Sequence, residues 1–313
     1  MAKPNMDKEI ISIAVISYNS SNTILETLDS ILLQDYGCAY IELLIGDDGS
    51  TDDTQNLINS WVKENQEIFH NVILNLNSKN QGVAFNFNSI CSLATSEWLK
   101  FIAADDILNI NCITEFYQFI VENKSDIKCV FSKVEKFKQT TMLGIYPKSI
   151  HCFNLSAEKQ FQSLLVDNFI PAPGCFIKVS ILREMGFAEL GMVMEDYPLW
   201  LKITSNGIKL HLLNKVLVRY RISESISKSD KRIINIRLND DVYKCKKKYL
   251  LKLNVNIFHK LLYIIDIMLF RMADIVKIKI LKNKKSKLSR YIEPLVRLFS
   301  PLYLIRRIKN SIN

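Results

Sequence analysis

The stretch Ile10-Ile11-Ser12-Ile13-Ala14-Val15-Ile16, closed by Ser17-Tyr18-Asn19-Ser20, decides how the rest of the chain is read. It is apolar but for Ser12 and rich in β-branched residues, which suits a strand buried on both faces. Working outward, Thr23-Ile24-Leu25-Glu26 has capping-box spacing, and Ile24, Leu28, Ile31 and Leu32 share one helical face. A helix is therefore predicted from there up to Tyr36-Gly37. Ile41 to Ile45 predicts a second strand ending at Gly46-Asp47-Asp48-Gly49, and Ser50 to Asp53 caps a helix through Trp61. Val72 to Leu76 predicts a third strand, Val83 to Leu93 a helix, and Trp98 to Ala103 a fourth strand stopping before Asp105-Asp106. Such alternation predicts an α/β fold: a mostly parallel sheet with helices on both faces.

In sheets of this kind ligands sit beyond the carboxyl ends of the strands. Three polar clusters fall there: Ser17 to Asn19, Asp47-Asp48 and Asp105-Asp106. An edge lined with carboxylates receives a phosphate only where a cation intervenes, so a divalent metal is its natural complement. No G-x-G-x-x-G follows the first strand, and the chain has no P-loop, H-E-x-x-H or G-x-S-x-G pattern. That argues against nicotinamide dehydrogenases, P-loop enzymes, zincins and α/β-hydrolases. The histidines at positions 70, 151, 211 and 259 share no metal-ligand spacing.

Taken together, Val15-Ile16-Ser17-Tyr18-Asn19, Thr27 to Gln34, and Gly46-Asp47-Asp48-Gly49-Ser50-Thr51-Asp52 resemble the opening of family 2 glycosyltransferases. Asn80-Gln81-Gly82-Val83-Ala84 with Asn88, then Phe101 to Asp106, continue the resemblance in order. Glu195-Asp196-Tyr197-Pro198-Leu199-Trp200 is similar to that family's E-D motif, and Arg219-Tyr220-Arg221 to the strand that closes its donor site. The match covers roughly residues 10–227; each motif alone is weak, but the ordered set is specific. It implies a GT-A nucleotide-diphospho-sugar transferase fold and an inverting transfer of a hexose or N-acetylhexosamine from a UDP-sugar. Such a donor needs a base-recognition edge, charge neutralisation and a group that activates the nucleophile.

The resemblance assigns nucleotide-sugar contacts to Ser17, Tyr18, Asn19, Asp48, Gly82, Asn88, Asp105, Arg219 and Arg221, with Lys228 as a further phosphate partner. It assigns Mg²⁺ or Mn²⁺ to Asp105 and Asp106, Asp196 as catalytic base, and Glu195 to orient or help hold the acceptor. Trp200 and Gly174 are candidate acceptor contacts, and Trp98 a further candidate for stacking on a sugar. Two departures stand out. Ala103 occupies the first acidic position of D-x-D-D, and Ser223 stands where many members have a His. Two aspartates still suffice for a cation that keeps waters and substrate phosphates in its shell. Each cluster also has a plain reading, as a turn, a helix cap or first-turn acids that favour the helix dipole.

Charge divides the chain near residue 225. Residues 228–313 hold 22 basic groups against 6 acidic ones, and residues 1–227 hold 19 against 26. A catalytic domain over 1–227 and a basic helical C-terminal region over 228–313 are expected. From Ile257 to Val276 apolar residues recur at helical spacing. Lysines follow from Lys277 to Lys287, and a second apolar-basic segment runs from Tyr291 to Lys309. This suits an anionic membrane surface, or a helical cap packed on the body with a solvated basic face. The longest apolar block, Leu261 to Phe270, is too short to span a bilayer, and Met1 to Glu9 does not read as a signal peptide. A cytoplasmic enzyme, peripheral at the inner leaflet and acting on a polyprenyl-diphosphate-linked saccharide in surface-polysaccharide synthesis, is the expectation. The seven cysteines form no C-x-x-C pair and read as buried hydrophobes. Two rivals remain open, a catalytically dead scaffold of the same fold and a nucleic-acid binder using the basic tail. Against the latter, Phe258, Tyr263 and Phe270 lie in the tail's apolar helix rather than among the lysines.

Overall fold

The computed structural model describes residues 8–123, 127–222, 232–287 and 289–305. The buried run at the start is a strand, β1 (Ile11–Ser17), and the predicted alternation follows it. The order is α1 (Ile24–Leu32), β2 (Ile41–Asp47), α2 (Thr54–Asn65), β3 (Asn71–Leu76), α3 (Val83–Cys91) and β4 (Trp98–Ala103). Then come β5 (Ile107–Leu108), α4 (Cys112–Glu122), β6 (Cys129–Lys138), β7 (Thr141–Tyr146), α5 (Ala157–Val166), β8 (Cys175–Lys178) and α6 (Val179–Glu184). The chain continues through α7 (Asp196–Ser205), β9 (His211–Arg221), α8 (Ile236–Leu250), α9 (Ile257–Ile275) and α10 (Ser289–Leu298).

These elements fall into two compact units. The first takes the described residues up to Tyr146 together with Pro171–Ala188 and His211–Arg221. It holds the whole sheet, ordered β3-β2-β1-β4-β8-β6-β9-β5, with β7 beside β6. β3, β2, β1 and β4 run parallel, as buried β-branched runs joined by helices require. Beyond β4 the sheet is mixed: β8 is antiparallel to both β4 and β6, and β6 is parallel to β9. One face packs Ile11, Ile13, Val15, Leu43 and Ile45 against α1, α2 and α4. The other receives α3, where Phe87 meets Phe101 edge-on at 5.1 Å. Trp98 stacks on Phe176 at 5.0 Å within the core, so it is a packing residue and not a sugar platform.

The second unit takes Pro147–Ile170, Glu189–Leu210 and the described residues from Ile222 on. It is helical: α5 packs on α7, α8 and α9, α7 on α8, and α9 on α10. Thus the charge step near residue 225 and the packing divide the chain differently. Segments before it, α5 and α7 among them, pack with the helices after it. Gln160 of α5 grips Leu210 through both its amide ends, each at 2.8 Å, which ties down the stretch after α7. Among the described residues no helix is long and apolar enough to cross a membrane.

The capping box expected at Thr23 does not form. Its hydroxyl donates instead to the Ala104 carbonyl at 2.8 Å, and the Glu26 carboxylate turns to Arg221. Both side chains are spent on the loop after β4 and on β9 rather than on their own helix end, which stops at Leu32 instead of running on to Tyr36.

Candidate active site

In the first unit the carboxyl ends of β1, β2, β3 and β4 are stapled together by backbone bonds. Asp48 N–H donates to Ser17 O at 3.0 Å, Ala104 N–H to Ile16 O at 3.0 Å and Asn77 N–H to Asp47 O at 2.9 Å. Asp47, fully buried, gathers this edge. It accepts from the Ser17 hydroxyl at 2.8 Å, Ser50 N–H at 2.9 Å, the Ser50 hydroxyl at 2.6 Å and Gln55 Nε2 at 2.7 Å. A buried carboxylate is tolerable only with such satisfaction.

Asp48 has a different task. Its two oxygens accept from Gln81 N–H at 2.9 Å and Gly82 N–H at 2.8 Å, holding the loop that leads into α3. Gly49 makes this approach possible. Its φ is +70°, and a Cβ there would lie 2.4 Å from the Lys79 backbone. Gly82 also has positive φ, +98°, but faces open space. Asn19 sits at φ 50° and accepts from Thr51 N–H at 2.8 Å, while Tyr18 stands exposed beside it. Ser17 is buried with its hydroxyl on Asp47, so it supports this edge from behind.

Of the two asparagines of α3, Asn88, which the resemblance assigned to the donor, is not the one that reaches the strand ends. Asn88 is spent on Ala188, donating to its carbonyl at 3.0 Å and accepting from its N–H at 2.9 Å. Asn86, which sequence reasoning passed over, reaches the strand ends and donates to Gly46 O at 3.1 Å. Gly46 leaves room for it, since a Cβ there would lie 2.6 Å from Asn86 Oδ1.

After β4, Asp106 is fully buried and accepts from Arg221 N–H at 2.9 Å through Oδ1. Its Oδ2 is buried with no hydrogen-bond partner among the described residues. Burial first, and the neighbouring Asp105 charge second, hold its carboxyl well above the usual carboxylate range. Arg221 braces the loop further, donating through Nε to Asp105 O at 2.7 Å and pairing with Glu26. Arg219 and Arg221 both lie 4.6 Å from the Phe137 ring centre, a platform that nothing in the sequence announced. Lys228 and Ser223 lie outside the described residues.

An orphaned carboxylate oxygen beside a second aspartate suits a hard cation that completes its shell with substrate phosphate and water. Asp105 and Asp106 therefore fit Mg²⁺ or Mn²⁺. Among the described residues no group of three or more His, Cys, Asp or Glu side chains could hold a metal. Among the described residues, the protein's share of the ligands would be these two aspartates.

In the second unit Glu195 and Asp196 open α7, with Pro198 in its first turn as expected. Burial, and then the Asp196 charge beside it, push Glu195 up to about 7; Asp196 is also raised, chiefly by burial. Both acceptor candidates are buried. Trp200 is 0% exposed, enclosed in α7's packing, and Gly174 is buried where a Cβ would lie 2.4 Å from Ser132 O. What holds the Pro171–Gly174 segment is Lys100, fully buried on β4, whose Nζ donates to Pro173 O at 2.7 Å.

A parallel sheet whose carboxyl edge is lined with aspartates, extended by mixed strands, is the architecture of GT-A glycosyltransferases. The family model for glycosyl transferase family 2 matches residues 12–186, and the chain belongs to that family. It is a glycosyltransferase. It is 28% identical over 214 residues to an Escherichia coli protein named UDP-Glc:alpha-D-GlcNAc-diphosphoundecaprenol beta-1,3-glucosyltransferase WfaP. That match takes 68% of this chain and 78% of the relative. An uncharacterized glycosyltransferase of Rickettsia felis is 26% identical over 99% of this chain, which spans 47% of that longer protein. Among solved structures, S. aureus TarS 1-349 in complex with UDP-GlcNAc superposes with a TM-score of 0.63 at 19% identity, covering 84% of this chain and 73% of that one. This likeness shows the fold.

Proposed function

We propose that the protein transfers a hexose or N-acetylhexosamine from a UDP-sugar, with inversion, to a hydroxyl of a polyprenyl-diphosphate-linked saccharide in surface-polysaccharide assembly. The observation that carries this reading is the aspartate-lined strand edge with the orphaned Asp106 oxygen. Tyr18 and Asn19 present a ring and an amide to the nucleoside, on a shelf fixed by Asp47 and Asp48. Arg219 supplies a planar cation for the diphosphate, and Arg221 keeps the Asp105-Asp106 loop in place. Asp105 and Asp106 would hold the divalent ion, which would supply charge neutralisation for the diphosphate. Asp196, its basicity raised by burial, takes the proton from the attacking hydroxyl, and Glu195 orients or helps hold the acceptor. The acceptor class is supported by the name of the Escherichia coli relative, and the donor class by that name and by the UDP-GlcNAc bound to TarS.

A cytoplasmic placement at the inner leaflet belongs to the same reading and is supported by α9. It buries Tyr263, Ile267 and Ala273, while its apolar residues Ile257, Leu261, Met268, Met272 and Ile275 face out along one stripe. Exposed Lys279, Lys282, Lys284, Lys285 and Lys287 follow. An apolar stripe beside a run of lysines complements an anionic lipid surface.

The test is turnover of UDP-, GDP- and dTDP-sugars with Mn²⁺, Mg²⁺ or EDTA, wild type against Asp196→Asn. Metal-dependent turnover of a UDP-sugar, abolished by the substitution, is expected. Undiminished turnover in Asp196→Asn overturns the assignment of the base, and binding of no nucleotide by calorimetry overturns the donor site.

A further inference from the structure

Helix α8 lies beyond the stretch matched by the family model, in the basic region whose job composition alone left open. Its side chains at 241, 245, 248 and 249 follow the i, i+4, i+7, i+8 spacing of one helical face. All four touch a single short segment. Asp241, buried, accepts Val193 N–H through Oδ2 at 3.1 Å. Cys245, also buried, sets its sulfur 3.5 Å from that of Met192. Lys248 pairs with Glu189 at 2.7 Å, and the Tyr249 hydroxyl donates to the same Glu189 oxygen at 2.9 Å. Glu195 and Asp196 come two and three residues after Val193.

The helix that carries the pair is secured elsewhere by other means. Tyr197 donates its hydroxyl to Leu164 O of α5 at 2.8 Å, which fixes the body of α7 just past the carboxylates. Lys246 of α8 donates to Val166 O at 2.8 Å, docking α8 to the same helix α5. The approach to the pair from the N-terminal side is thus held by the 241–249 face, and the departure by α5.

We infer that this face of α8 fixes residues 189–193 and, through them, the placement of Glu195 and Asp196. Asp241 is a positioning residue for the catalytic pair. The inference rests on the reading of Asp196 as the base. The buried carboxylate is the critical contact, because removing it leaves the Val193 N–H without its acceptor. The charge of Asp241 matters less than its oxygen. Its ion pair with Lys244 at 3.0 Å joins an exposed lysine, and such pairs contribute little. The basic region then has a duty within the enzyme itself, independent of any lipid.

The experiment compares Asp241→Ala, Asp241→Asn and Tyr249→Phe with wild type. Hydrogen exchange by mass spectrometry is read over peptides spanning 189–196, UDP binding by calorimetry, and turnover on the donor found above. In Asp241→Ala, faster exchange confined to this segment is expected, with kcat down about 10- to 100-fold while donor KM and UDP affinity hold. Asp241→Asn restores most of the rate, because its amide oxygen still accepts the Val193 N–H. Tyr249→Phe keeps the ring and removes only the bond to Glu189, so it reports on the same face if the alanine variant fails to fold; a smaller kcat loss in the same direction is expected. Unchanged exchange over 189–196 in a folded variant, or loosened exchange with wild-type kcat, overturns the inference. If Asp196→Asn keeps its turnover, the base assignment fails on its own account, while the exchange data still decide whether α8 holds the segment.

Discussion

Glu195 and Asp196 are adjacent carboxylates whose surroundings disfavour two charges, and this gives a testable sign. Glu195 is raised from an ordinary value of 4.5 to about 7, by burial first and by the Asp196 charge second. A carboxyl raised on folding stabilises fully below the unfolded value, and that contribution is lost as pH rises through the folded one. Wild type should therefore lose stability between about pH 5 and about pH 8, and Glu195→Gln should lose less, read as urea midpoints at both. Turnover should rise across the same window as the pair gives up its last proton, and the acid limb should shift to lower pH in Glu195→Gln. Identical urea midpoints for the two proteins at both pH values would sink this reading. The residue scale is also where the sequence misled. Trp200 was a candidate for the acceptor because it flanks the E-D motif and Gly174 because the family runs a loop toward the acceptor there, yet burial is a long-range property that neighbours in sequence do not encode. Asn88 and Asn86 differ by half a turn of helix, and only the packing of α3 on the strand ends decides which of them reaches Gly46.

At the element scale, α1 acts as a brace for the Asp105-Asp106 loop. Thr23 and Thr27, four residues apart on one face, donate to Ala104 O and Asp106 O, each at 2.8 Å. Thr27 is fully buried, so Thr27→Val keeps the shape while leaving the Asp106 carbonyl without its donor. We expect a loss of about 1 to 2 kcal/mol in urea unfolding, since a stranded buried acceptor costs that much. The Mn²⁺ concentration for half-maximal turnover should rise with it, because the same loop carries the two aspartates. Wild-type metal dependence in the valine variant would show that α1 does not set the loop. This brace explains why the strands were legible and the caps were not. A β-branched run such as Ile10 to Ile16 declares burial by composition alone. Thr23 looked like a helix cap because local spacing is all a sequence displays, and its true partner lies 81 residues away.

On the scale of the whole molecule, an acidic stretch of 227 residues precedes a strongly basic one, and the packing units cut across that step. The basic region thus serves two environments at once. Its α8 face is occupied by the segment before Glu195 and Asp196, whereas α9 turns Ile257, 72% exposed, Met268, 59%, and Met272, 57%, to solvent. Periodicity alone predicted the apolar stripe of α9 but could not say whether it faced the core, because an amphipathic pattern is the same for a core and for a lipid surface. The structure buries the flank carrying Tyr263 and Ile267 and leaves the longer stripe bare. Nearby lysines each add about 1 kcal/mol of attraction to an anionic surface, and the bare stripe adds apolar burial. The full chain should therefore sediment with phosphatidylglycerol-containing vesicles, far less with neutral ones, and lose most binding at about 0.5 M salt, where the Debye length falls to a few ångströms. The triple substitution Leu261→Glu, Met268→Glu, Met272→Glu should abolish binding while leaving UDP affinity intact, since those residues belong to the second unit and the proposed nucleotide contacts Tyr18, Asn19 and Asp48 to the first. Vesicle binding that survives this triple change would place the lipid contact elsewhere, and binding absent from wild type would leave the stripe to another partner.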